Sequence, residues 1–183
     1  MSGAGISVSA GIPDFRSPKV GLYSRAEALS GVKLPYPEAM FDKKFFLKHP
    51  QVYYTYRKER FKDPDFNMEI FPTQSHWFVR LLSDKGLVHK VFTQNTDDLF
   101  EKCSIDNELL IHAHGANGKA MCPVCGAPDS AEELTAALRK GEVRYCKHCK
   151  QEDGSGSPIK PGVVFFNESL PKEFYDGVKK EAL

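Results

Sequence analysis

Residues 87–115 read LVHKVFTQNTDDLFEKCSIDNELLIHAHG. Two short runs inside it, LVHKVFTQN (87–95) and ELLIHAHG (108–115), are rich in apolar residues and bounded by polar turns. Each predicts a short buried strand. Between them DDLFEKCSI (97–105) predicts a short helix. Downstream, PGVVFFNESLP (161–171) predicts a third strand running into a loop, and PKEFYDGVKKEAL (171–183) the start of another helix. Strand, helix, strand, helix is the order of a parallel α/β sheet.

In such a sheet, ligands collect beyond the carboxyl ends of the strands. Gln94, Asn95 and Asp97 stand at the end of the first strand, where carboxamides and a carboxylate can hydrogen-bond a ribose or an amide. The competing reading is structural: Asn95 or Asp97 caps the helix that follows. His114 ends the second strand in the same position and can act as a general base. His112 points the same way two residues earlier, so spacing alone leaves the choice between them open.

The chain opens on GAGISVSAGIPDFRS (3–17). Glycines at 3, 5 and 11 let a backbone approach a diphosphate, whose charge turn N–H groups can satisfy. The same spacing occurs in ordinary tight turns, and a dinucleotide fingerprint wants a strand in front of it. The continuation IPDFRS adds an acid, a ring and a guanidinium to that loop.

Among five cysteines, four form two Cys-x-x-Cys knuckles, Cys122/Cys125 and Cys146/Cys149, separated by twenty residues. Paired knuckles predict a closed, structural four-cysteine zinc site. A redox pair is the alternative, and His148 is a substitute ligand inside the second knuckle. Cys103 stands alone and reads as a buried small apolar residue.

The 183 residues carry 25 Lys+Arg against 24 Asp+Glu, a net charge of +1, which predicts no broad nucleic-acid footprint. No apolar run approaches the ~18 residues of a membrane span. With no leader and an odd cysteine count, the expectation is an intracellular protein, cytoplasmic or nuclear, with the mitochondrion open. LPYPEAMFDKKFFLKHPQVYYTYRKERF (34–61) predicts two short helices started by Pro37 and Pro50. PTQSHWFVRLLSDKG (72–86) predicts a helix with Trp77, Phe78, Leu81 and Leu82 on one stripe and Gly86 past its end. SAEELTAALRKG (130–141) predicts a small helix between the knuckles.

Taken together, GAGISVSAGIPDFRS, TQNTDDL, HAHG, the paired knuckles and KPGVVFFNESLP resemble, in order, the motifs of the sirtuin family of NAD-dependent protein lysine deacylases. LPYPEAMF and KHPQVYY resemble the helical module of the branch nearest its eukaryotic founding members. The resemblance spans essentially the whole chain. It implies an α/β fold: an incomplete Rossmann-like parallel sheet with an inserted helical module and a small four-cysteine zinc-ribbon module. The partial NAD-binding domain would comprise 1–17, 74–114 and 167–183. The helical module with the cofactor loop would be 18–73, and the zinc-binding module 115–166.

The implied cofactors are NAD and Zn2+. Gly3, Ala4, Gly5 and Ala10 would line the NAD phosphates, and Asp14, Phe15 and Arg16 would form the cofactor loop, with Phe15 over the nicotinamide site. Gln94, Asn95 and Asp97 would contact nicotinamide and its ribose, and His114 would be the general base. In the implied reaction the acyl oxygen attacks the ribose carbon as nicotinamide leaves, yielding free lysine and O-acyl-ADP-ribose. Val164 and Phe165 would form the acyl-lysine tunnel, and Asn167 and Glu168 would pair with the backbone of a histone or non-histone protein substrate as an added strand.

Against that pattern, only Met1 and Ser2 precede the glycine turn, and the family's later Gly-Thr-Ser half is not in the sequence. The expectation is a catalytic domain truncated at both ends. Two other functions follow from it: a catalytically impaired, zinc-stabilised interaction module, or a mono-ADP-ribosyltransferase using the same pocket. Thr96 stands for a usual aliphatic residue, His112 for a commonly acidic one, and Asn167 for a glycine, where the turn would take a positive φ.

Overall fold

The structure, a computed structural model, describes residues 1–15, 17, 21–63, 69–149 and 156–181. Arg16 lies outside the described residues.

The parallel sheet forms where the apolar runs predict it. Strands β1 (Val91–Thr93) and β2 (Leu110–His112) pair in parallel, in register Val91↔Leu110 and Thr93↔His112. On the other side of β1, Ser2 makes a parallel bridge to Thr93: Ser2 N–H donates to Phe92 O (2.8 Å) and Gln94 N–H to Ser2 O (3.0 Å). Three parallel segments therefore present Gly3, Gln94–Asn95 and Ala113–His114 at one end of the sheet.

Seven helices are described: α1 (Leu22–Ser30), α2 (Lys43–Lys48), α3 (Pro50–Lys62), α4 (Gln74–Asp84), α5 (Leu99–Lys102), α6 (Ala131–Lys140) and α7 (Lys172–Glu181). Pro50 begins α3, as its fixed φ favours. Pro37 begins no α-helix. The chain there makes a 3-10 turn at Ala39–Phe41, and α2 starts only after Asp42, whose carboxylate accepts the Phe45 N–H at 2.9 Å. An N-cap acceptor outweighed the proline. Helix α6 matches its local code, with Ser130 accepting from Glu133 N–H and Gly141 left-handed past its end.

Helix α4 forms over the predicted stretch, but its stripe faces outward: Trp77, Phe78 and Leu81 are each at least half exposed. His76 is the side chain it buries, held against Phe100 (ring centroids 4.8 Å). On the sheet's other flank, α7 lies close because Gly177 has no Cβ; one would stand 2.5 Å from Ile111 Cδ1.

The third predicted strand does not extend the parallel sheet. As β5 (Lys160–Val163) it pairs antiparallel with β3 (Gly115–Met121), which pairs in turn with β4 (Pro128–Asp129). Gly115 permits the crossing: it has φ +71, and a Cβ there would meet Gly162 O at 1.9 Å. The helical and cysteine-bearing stretches bury one common core, in which Phe46, Tyr53, Tyr54 and Tyr56 meet Leu134, Leu138, Cys146, Ile159 and Phe165. Tyr54 Oη–H closes it by donating to Ile159 O at 2.8 Å.

Candidate active site and metal centre

The glycine-rich opening folds as two successive 3-10 turns, Ala4–Ile6 and Val8–Ala10, ending on left-handed Gly11 (φ +89). Ala10 donates its N–H to Ser7 O at 3.0 Å. The N–H groups of Ala4 and Gly5 have no protein acceptor among the described residues. Both residues line an open cleft of about 690 Å³ that runs from Gly3 to Gln74 and Ser75 at the first turn of α4. A Cβ at Gly5 would meet nothing within 4 Å, so the glycine keeps the cleft open instead of fitting a neighbour. Unpaired donors beside a positive helix end fit a diphosphate.

The amide-and-acid cluster is knitted to that turn by a serine. Asn95, buried, donates from Nδ2 to Gly3 O and to Ser7 Oγ, each at 3.1 Å. Ser7 Oγ–H donates to Asp97 Oδ2 at 2.6 Å, while Asp97 Oδ1 accepts the Leu99 N–H at 3.2 Å. The N-cap of α5 is Asp98, which makes no side-chain cap bond; Asp97, one residue before it, accepts the first helical N–H instead, and its two oxygens are both engaged within the protein. Asn95 Oδ1 and the exposed Gln94 carboxamide have no protein partner among the described residues.

Partners also separate the two histidines. His112 Nε2 lies 2.9 Å from Glu101 Oε1, a contact that raises the imidazole's pKa despite partial burial and lowers that of the carboxyl. His114 places Nδ1 2.9 Å from the Gln94 carbonyl oxygen. A carbonyl only accepts, so Nδ1 is the donor, and in the neutral ring Nε2 is left with the lone pair a general base requires. Gly3, Ser7, Asn95 and Asp97 are thus joined directly, with His114 one residue away through Gln94.

Two of the predicted cofactor-loop residues, Asp14 and Phe15, lie within the described residues. Asp14 caps its own turn, accepting from Ser17 N–H and Oγ–H at 2.8 Å each. Phe15, 44 % exposed, touches Tyr23 (5.8 Å), which leads through Phe41 (6.0 Å) to Phe165 (6.1 Å). That aromatic series connects the loop to the predicted acyl-lysine segment and not to His114 itself.

In that segment, Val164 N–H donates to His114 O at 2.9 Å. Phe165 is buried in the aromatic core, and Phe166 is the exposed ring. Asn167 takes φ +66, the left-handed conformation expected where a glycine would stand, and its Nδ2 bonds the Asp42 carboxylate. Glu168 turns its carboxylate inward, accepting the Phe165 N–H at 2.8 Å and pairing with Lys160 at 2.9 Å. Only its backbone is left to face a substrate strand, and the Glu168 N–H is already bonded to Phe165 O.

The metal site is the tightest constellation. The four Sγ atoms of Cys122, Cys125, Cys146 and Cys149 lie within 4.8 Å of one another. Cys122–Cys149 is 3.5 Å and Cys125–Cys146 3.7 Å. Zinc–sulfur arms of ~2.3 Å in a tetrahedron set sulfurs about 3.8 Å apart, so the donor set fits Zn2+. Cys125 N–H approaches Cys122 Sγ (3.5 Å) and His148 N–H approaches Cys146 Sγ (3.3 Å), as thiolates need. His148 supplies that amide and is not among the four ligands. Cys103 is fully buried, and burial pushes its thiol pKa up.

Sequence reasoning missed Ser7, Asn117 and Lys160. Asn117 Nδ2 holds Thr96 through its carbonyl (2.8 Å) and Oγ1 (3.2 Å). Ser7 looks like any serine in a turn, and only its burial between a carboxamide, Asn95, and a carboxylate, Asp97, marks it.

Compared with known proteins, residues 3–182 match the model of the Sir2 family. The chain is 44 % identical over 181 residues to NAD-dependent deacetylase sir2A of Dictyostelium discoideum, an overlap covering 99 % of this chain and 33 % of that protein. It is 38 % identical over 181 residues to NAD-dependent protein deacetylase hst2 of Schizosaccharomyces pombe, covering 99 % and 50 %. Against NAD-dependent protein deacetylase sirtuin-2 of Danio rerio it is 38 % identical over 183 residues, covering 99 % and 45 %. The chain thus spans between a third and a half of the length of these relatives.

Proposed function

The chain belongs to the Sir2 family, and from that premise we propose that it is an NAD-dependent protein lysine deacetylase. It would move the acyl group of an acyl-lysine protein, histone or non-histone, onto ADP-ribose with release of nicotinamide. The observation that carries this reading is the tautomer of His114, fixed by Gln94 O beside the Gly3–Asn95–Ser7–Asp97 network.

NAD, when bound, supplies the ribose carbon that accepts the acyl oxygen and the nicotinamide that leaves. The free N–H groups of Ala4 and Gly5 hold its phosphates. Gln94 and the unused Oδ1 of Asn95 orient the nicotinamide end. Asp97 acts through Ser7 and the start of α5, keeping Asn95 in place. His114 Nε2 takes the proton of a ribose hydroxyl, and its Nδ1–H bond to Gln94 O steadies the imidazolium that results. Val164, joined to the backbone of His114, sets the acyl-lysine beside that base. The zinc site braces the core shared with the helical stretch and takes no part in the chemistry.

Incubation with NAD and an acetyl-lysine peptide tests the reading. Expected are nicotinamide release that depends on the peptide and a mass matching O-acetyl-ADP-ribose. Nicotinamide release indifferent to acetylation would point instead to mono-ADP-ribosyl transfer. A chain that binds neither NAD nor peptide would be a zinc-stabilised interaction module.

A further inference from the structure

Strand β5 opens on a buried cation that the proposed mechanism does not use. Lys160 has a side chain only 2 % exposed. Its Nζ lies 2.9 Å from Glu168 Oε2, donates to Val163 O at 2.6 Å, and stands 4.8 Å from the Phe165 ring centroid. Glu168 completes the arrangement by accepting the Phe165 N–H at 2.8 Å, with Lys43 Nζ a second cation at 4.0 Å. One ammonium thus joins the first and last residues of Val163–Glu168 and closes that segment on itself.

This closure lies beyond the sheet. The β3–β5 ladder ends at Gly115↔Val163, so pairing holds the chain only to the start of the loop. From there Val164 N–H reaches His114 O at 2.9 Å, and Phe166 N–H reaches Phe41 O at 2.8 Å. The loop therefore touches the candidate base on one side and the helical stretch on the other. A buried ion pair is a poor way to gain stability, since apolar residues of similar volume serve as well or better. Its geometric contribution is specific here, because the ammonium can reach a carbonyl and a carboxylate five residues apart at once.

We infer that Lys160 is a positioning residue: by tying Val163 to Glu168 it presets the loop that holds acyl-lysine beside His114. This role rests on the deacetylase reading above. It predicts that the lysine governs affinity for acylated peptide and leaves NAD affinity alone.

The test uses Lys160→Met, which keeps the stem and removes the charge, and Lys160→Met/Glu168→Gln, which avoids stranding a lone carboxylate if the single variant folds poorly. A fluorescent acetyl-lysine peptide and NAD are titrated separately, zinc content is measured, and amide hydrogen exchange is followed across residues 163–168. Peptide affinity about tenfold weaker, with unchanged NAD affinity and faster exchange confined to the loop, is the expected result. Loop exchange identical to the native chain overturns the role. So do variants that bind peptide as tightly as a native chain that binds it. A native chain with no affinity for acetyl-lysine peptide overturns the deacetylase reading, and the role with it.

Discussion

His114 Nδ1 lies 2.9 Å from the carbonyl oxygen of Gln94, so the imidazole is held by the end of the strand next to its own. The neighbouring residues of β1 fix the cluster that contacts Gly3 and Ser7. The candidate base and the candidate cofactor-binding groups are therefore registered to one another by the parallel pairing of β1 and β2.

Replacing His114 with alanine removes the candidate base and leaves the cleft at Gly3–Gly5 untouched. Peptide-dependent nicotinamide release should fall by roughly 10²–10⁴-fold, with NAD affinity by calorimetry little changed. Full activity in His114→Ala would eliminate the assigned role.

Ser7→Ala breaks the 2.6 Å bond to Asp97 and one of the two bonds made by Asn95 Nδ2. Both partners are at least partly buried, so the cost should be about 1–3 kcal/mol in urea denaturation, with weaker NAD binding. A variant as stable as the native chain and equal in NAD affinity would show that the serine does not join turn to strand.

Zinc should be bound at one ion per chain and released only with loss of structure. Because Cys122 and Cys146 belong to the core that also holds Tyr53 and Phe165, chelation should lower the melting temperature of the whole helical stretch. Atomic absorption paired with circular dichroism checks this; metal loss with an unchanged melt would contradict it.

The His112–Glu101 pair predicts a pH window. The folded imidazole holds its proton more tightly than in the unfolded chain, chiefly through its bond to Glu101. Its contribution is complete below the ordinary value of ~6.5 and disappears as pH rises through the raised one. The Glu101 carboxyl, lowered by the same bond, contributes above its ordinary ~4.3 and loses that contribution as pH falls through the depressed value. His112→Asn should therefore cost most near pH 5–6, at about 0.5–1 kcal/mol for a partly exposed pair, and progressively less above neutrality. A deficit that grows from pH 6 to 9 would reverse the assignment.

The chain's single tryptophan, Trp77, is 51 % exposed on α4. Its emission should be red-shifted and readily quenched by acrylamide. A blue, shielded emission would mean that the α4 face is covered in solution.

Periodicity and spacing made much of this legible in advance. The apolar runs at 87–95 and 108–115 yielded the parallel pair, and the two Cys-x-x-Cys knuckles yielded the four-sulfur cluster. Ser130 and Gly141 bounded α6. Such features are encoded by residues a few positions apart, where backbone geometry leaves few choices. The α4 stripe marked the helix but not its surroundings, because a 3.6-residue repeat identifies an amphipathic face without saying what covers it.

The β1 and β2 runs, the paired cysteine knuckles and the two candidate histidines were thus legible in the amino-acid order, since each depends on near neighbours. Tertiary contact alone decided which histidine keeps a free Nε2, that β5 runs antiparallel to β3, that Ser7 bridges Asn95 and Asp97, and that Lys160 joins Val163 to Glu168. Those outcomes rest on partners such as Gln94 O for His114, Gly3 O for Asn95 and Asp97 for Ser7, up to 92 residues apart, and a hydrogen bond exists only where folding has brought donor and acceptor together.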